Sequence, residues 1–137
     1  MNRFLILLYS ILFSIFFSCE EENQIDSNYL YGEWQADSIY TFQNGFDMVK
    51  RGGNSWGTYE YLNSGKVSES KSGNKREFLF EIIGIDSMVY KKPDQTLMTS
   101  FKILKLTDHE LVLKKNIQPI FKGTNQELYE IRYFSKL

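Results

Sequence analysis

Residues 29–51 read YLYGEWQADSIYTFQNGFDMVKR, and the period of this stretch decides the fold. Trp34, Ala36, Ser38, Tyr40 and Phe42 recur at every second position, with Gln35, Asp37 and Thr41 among the residues opposite. Successive side chains of a strand point to opposite faces, so this period of two predicts an extended strand rather than a helix. Asn44–Gly45 then stands between TFQ and FDMVK. Both residues tolerate positive φ, and the pair predicts a tight hairpin.

The same punctuation continues along the chain. Gly52–Gly53–Asn54, Asn63–Ser64–Gly65, Ser72–Gly73–Asn74, Gly84 with Asp86, Lys92–Pro93–Asp94 and Thr107–Asp108–His109 separate segments rich in aromatic and β-branched residues, and a longer break runs from Gln118 to Gln126. Strands are expected at Glu33–Gln43, Phe46–Arg51, Trp56–Leu62, Lys66–Lys71, Arg76–Ile83, Ser87–Lys91, Leu97–Leu106, Glu110–Ile117 and Glu127–Phe134. Beyond Gln24 no apolar stripe of helical period exceeds two turns. The expectation is an all-β chain folded as a single antiparallel up-and-down β-barrel of about eight strands. Short connections favour antiparallel neighbours, and a closed ring leaves no unpaired edge. A two-sheet sandwich is the competing arrangement.

The first residues are read separately. Arg3 is followed by an uncharged run, FLILLYSILFSIFFS, from Phe4 to Ser18. A helix needs about 20 apolar residues to cross a bilayer core, so this shorter run is read as a secretory signal peptide over residues 1–18. Cys19 is the chain's one cysteine and cannot form an internal disulfide. FFSC resembles a bacterial lipobox, which implies a lipid anchor on Cys19 and acylation of the new N-terminus, with palmitate as a typical chain. Residues 19–29 begin with Glu20, Glu21 and Glu22 and are expected to form an acidic flexible tether, with the barrel over residues 30–137. The implied location is an exported protein anchored to a bacterial membrane, the outer membrane foremost, on its periplasmic face or the cell surface.

A second resemblance concerns the domain itself. YGEW carries a Gly-x-Trp at the start of the first strand, as lipocalins do. YEYLNSGKV from Tyr59, FKILKLTDHELVLKK from Phe101, and QELYEIRYF from Gln126 to Phe134 resemble parts of the lipocalin-like domains of small bacterial lipoproteins. That resemblance implies a barrel whose tryptophan packs across the closed end beneath a late-strand arginine. Arg132 is the residue that could match. Its alternation leaves a second reading open: it shares a face with Glu130, while Tyr129, Ile131 and Tyr133 form the apolar row, which would make Arg132 a solvated strand residue.

Groups able to do chemistry are few. With 16 Lys and Arg against 17 Asp and Glu, and basic residues only in isolated pairs, the chain lacks the basic stripe that nucleic acid requires. His109, the one histidine, lies in a Thr-Asp-His-Glu turn, and no Gly-x-Ser-x-Gly elbow, EF-hand spacing or phosphate loop is present. The expectation is a non-enzyme with no cofactor and no metal. Trp34, Tyr40, Phe42, Trp56, Tyr59, Tyr61, Phe78, Phe80, Phe101, Tyr129, Ile131 and Tyr133 are the candidates to line the interior. As ligand-binding residues, Trp34, Tyr40, Trp56, Tyr59, Tyr61, Phe78, Phe80, Phe101, Tyr129 and Tyr133 would offer apolar rings and hydroxyls to a small hydrophobic or amphipathic ligand. The alternative is an envelope protein-interaction module, an accessory subunit or inhibitor, with a solid core. Its protein partner is not named by the sequence.

Overall fold

The computed structural model describes residues 25–53, 56–119 and 126–137. Nine antiparallel strands follow one another in chain order: β1 (Gly32–Gln43), β2 (Phe46–Arg51), β3 (Thr58–Tyr61), β4 (Lys66–Lys71), β5 (Asn74–Ile83), β6 (Ser87–Lys91), β7 (Leu97–Leu106), β8 (Glu110–Asn116) and β9 (Leu128–Lys136). A one-turn 3-10 helix, Ser27–Leu30, precedes them, and Asp26 caps it by accepting the Asn28 N–H at 2.9 Å. The expected strands are all present. β3 is shorter than expected because Trp56 is drawn into a turn, its N–H donating to the Gly53 carbonyl at 2.8 Å.

Eight strands close the barrel, running β1, β3, β4, β5, β6, β7, β8, β9 and back to β1. β1 serves two neighbours along one edge: Gly32–Gln35 pair with β3, whereas Ser38–Gln43 pair with β2. Along its other edge it pairs with β9 from Trp34 to Gln43. β2 therefore stands outside the closed ring, and the wall has a seam where β1 leaves β3.

A bulge at Asp37 sets the phase of that wall. Ala36 lies opposite Phe134 and Ser38 opposite Tyr133, so Asp37 has no partner across the ladder. An extra residue in one strand moves every later side chain to the other face. Trp34 and Ala36 point inward, but beyond the bulge it is Ile39 and Thr41 that do so. The irregular backbone is held by neighbours: Ser135 Oγ donates to the Asp37 carboxylate, and the Gly52 N–H donates to the Asp37 carbonyl. Only glycine fits at 52, because a Cβ there would lie 2.5 Å from the Ala36 carbonyl oxygen and 2.7 Å from that of Asp37.

The core is continuous from the closed end upward. Leu30, Trp34, Met88, Leu111 and Val67 are completely buried, with Tyr61, Phe78, Phe80, Tyr90, Phe101, Ile103, Leu113 and Phe134 packed among them. The 3-10 helix acts as the floor, since Trp34 Nε1 donates to the Leu30 carbonyl at 2.8 Å. Burying one large apolar side chain contributes about 1.5–3 kcal/mol, so this cluster supplies most of the driving force.

Candidate functional site

The interior changes character from floor to rim. Above the apolar floor, Phe78 and Phe101 pack against the Tyr90 ring, with centroids 4.8 and 5.2 Å away, and Tyr61 meets Phe80 edge to face at 5.2 Å. The Tyr61 and Tyr90 hydroxyls bond to each other inside this cluster, so neither is left unsatisfied. Burial pushes both phenols above their ordinary value.

A polar layer lies above. β4 and β5 place Glu69 opposite Arg76, and β3 places Tyr59 opposite Glu69. Glu69 is buried. Its carboxylate accepts the Tyr59 hydroxyl at 2.7 Å and Arg76 Nε at 2.7 Å, which offsets the cost of its desolvation. Tyr59 is pushed up to about 12 by burial first, then by its bond to Glu69 and that group's charge. On the facing wall Arg132 Nε donates to Glu130, and the guanidinium carbon sits 5.5 Å from the Phe101 ring centroid.

These residues border a cleft of about 380 Å³ at the seam. Ala36, Ser38 and Ile39 of β1 form one side, and Trp56, Gly57 and Tyr59 form the other. Phe134 and Arg132 stand at the back, and Glu69, Lys71 and Arg76 reach in from β4 and β5. Glu69 is bonded to Arg76, and Arg132 to Glu130. Lys71 has no carboxylate within ion-pairing distance among the described residues. Lys50, in register with Ile39, adds a second such cation on the same face. The cleft thus joins an aromatic wall to an excess of positive charge. A second groove, about 550 Å³, runs outside the closed end between Ile25, Tyr29 and Leu104. Its two lysines are already paired, Lys102 lying 3.1 Å from Asp86 and Lys105 2.6 Å from Glu110.

Of the proposed ligand-binding residues, Trp34, Tyr61, Phe78, Phe80 and Phe101 lie inside but are spent in the packed core. Trp56 and Tyr59 line the cleft. Tyr40, Tyr129 and Tyr133, together with Phe42 and Ile131, lie on the outer face, which corrects the sequence reading. The Asp37 bulge turns Tyr40 and Phe42 outward, and register across β8 and β9 turns the Tyr129–Tyr133 row with them: Arg132 and Phe134 lie opposite Leu113 and Leu111, both core residues. Phe42 stacks on Tyr129 at 5.0 Å, and Lys114 Nζ caps that ring at 4.1 Å.

Arg132 is accordingly an interior residue, neither a solvated one nor the cation over Trp34. That position belongs to Lys136, whose Nζ is 5.2 Å from the Trp34 ring centroid. Sequence reasoning passed over Glu69, Lys71 and Arg76 because charged residues on a strand read as solvent-facing. The available signal was the alternation of Val67, Glu69 and Lys71 with Ser68 and Ser70. His109 sits in an exposed turn, its Nδ1 2.5 Å from Asp108. Cys19 lies outside the described residues. Among the described residues no three His, Cys, Asp or Glu side chains converge as a metal site.

No known protein-family model matches this sequence, and no curated protein matches it at a significant level.

Proposed function

We propose that this chain is an exported lipoprotein, tethered through acylated Cys19, whose barrel binds a small amphipathic molecule at the seam cleft without catalysing a reaction. The observation that carries the binding reading is the cleft itself: about 380 Å³, walled by Trp56, Tyr59, Ile39 and Phe134. Apolar walls with a few convergent polar groups suit a guest with an apolar body and a polar end. Lys71 and the terminal nitrogens of Arg132 favour an anionic head, because a carboxylate or phosphate gains charge-assisted hydrogen bonds there. The packed core beneath limits the guest to the cleft.

Titration of the full chain in detergent below saturation with octanoate, octanol and octylammonium, followed by tryptophan fluorescence, tests the binding reading. Saturable binding of octanoate, with octanol weaker, octylammonium absent and the signal lost in Trp56→Phe, is the expected result. No saturable change with any of the three removes the reading. The anchor is tested separately: Cys19→Ala should abolish labelling by radioactive fatty acid and move the protein from the membrane pellet to the soluble fraction. A variant that stays in the pellet overturns the tether.

A further inference from the structure

We infer that β2 is a self-association strand, pairing edge to edge with β2 of a second copy of this chain across a two-fold axis centred on Val49. β2 pairs with β1 alone among the described strands, and all six of its residues are exposed. Phe46, Met48 and Val49 are 82%, 52% and 56% exposed. A strand bonded on one edge keeps a row of unmatched N–H and C=O groups on the other, a template for a further strand. This edge is not shielded by shortness or proline, and Lys50 is the one charge on its inner face.

The occupant is identified by the pattern of charges. A two-fold axis perpendicular to the sheet makes the added strand antiparallel and keeps outer face beside outer face. Directly opposed residues must then share a face, so the axis passes midway between one residue and the same residue of the other copy, and is named by that residue. Through Asp47 it would oppose two aspartates, and through Lys50 two lysines; like charges directly opposite are destabilising. Through Met48 it would set Asp47 against Val49 and Phe46 against Lys50, with no ion pair. Through Val49 it sets Asp47 of each copy against Arg51 of the other, with the two valines between them. The outer row Asp47, Val49, Arg51 lies in register with Phe42, Tyr40 and Ser38 of β1, so all three side chains are on one face. On the other face Met48 of each copy meets the aliphatic stem of Lys50. One register in four is complementary, and it is complementary twice.

Sedimentation velocity of the full chain in a non-ionic detergent, over a wide concentration range, is the first measurement. The expected result is a reversible monomer–dimer equilibrium. Asp47→Arg and Arg51→Asp should each weaken dimerisation by about tenfold or more, since each converts two attractions into two repulsions. The double variant Asp47→Arg/Arg51→Asp exchanges the charges and should restore the original dissociation constant. All three changes are on exposed positions, and an unchanged far-UV circular dichroism spectrum checks the fold. A chain that stays monomeric throughout overturns the proposal. So does a dimer indifferent to either single variant, or a double variant that fails to recover.

Discussion

Lys136 and Trp34 are paired across β9 and β1, with the ammonium 5.2 Å from the ring centroid and also donating to the Tyr29 carbonyl at 3.0 Å. One side chain thus ties the last strand to the first and to the 3-10 helix that closes the floor. Lys136→Met keeps the aliphatic stem and removes the charge. The expected loss is about 0.5–2 kcal/mol in urea denaturation, the range of a cation–π pair. Trp34→Ala, which also opens a cavity at the floor, should cost about 3–5 kcal/mol. A charge-independent result for Lys136 would show the pair to be packing alone.

The Tyr61–Tyr90 hydroxyl pair makes a second prediction. Each hydroxyl is satisfied by the other within an aromatic cluster. Tyr61→Phe strands the Tyr90 hydroxyl in that cluster, and Tyr90→Phe does the reverse, so each single change should cost about 1–3 kcal/mol. Tyr61→Phe/Tyr90→Phe removes both polar groups and should be more stable than the sum of the singles implies. Additive losses in that double-mutant cycle would contradict the coupling.

Alkaline pH should expose the Tyr59–Glu69 bond. Tyr59 is raised from 10.0 to about 12, first by burial and then by Glu69. The folded state therefore holds its proton more tightly than the unfolded chain. Stability from this group is complete below pH 10 and is lost as pH rises through 12. Glu69→Gln removes the neighbouring charge, so Tyr59 should ionise earlier in a phenolate absorbance titration. An unshifted titration would place the cause in burial alone.

The bulge can be tested by deletion. Removing Asp37 takes out the one residue without a ladder partner, and Trp34, Ala36, Ile39 and Thr41 then follow an unbroken alternation on the inner face. Both this deletion and Asp37→Asn should therefore keep cooperative unfolding, whereas a deletion that abolished it would show that the bulge itself is required. The same geometry makes Gly52→Ala damaging, because its Cβ would meet two carbonyl oxygens at 2.5 and 2.7 Å. Thermal unfolding of the three variants side by side checks the ordering.

Strand existence and, from β3 to β9, strand order were legible from the sequence. The turn residues Asn44–Gly45, Ser64–Gly65 and Ser72–Gly73 mark chain reversals, and positive φ at Asn44, Gly45, Gly65, Ser72 and Gly73 is what those reversals need. Short connections then leave sequential antiparallel neighbours, and a ring is the arrangement that leaves fewest edges. Each of these choices is local, or follows from local ones.

Which face of a strand is inside is not local. In β9 the row Tyr129, Ile131, Tyr133 is the more apolar, yet Glu130, Arg132 and Phe134 face the interior. Alternation looks the same when inverted, and the choice between the two phases is made by ladder register against β8 and β1, where Leu113 and Ile39 stand across from Arg132. One unpaired residue at Asp37 changes that phase in β1 without disturbing the pattern read along it. The primary structure therefore determined that this chain forms consecutive strands from Gly32 to Lys136. Ring closure, which couples every register to every other, decided that the seam cleft would carry Arg132, Glu69 and Tyr59 and that three of the expected tyrosines would face outward.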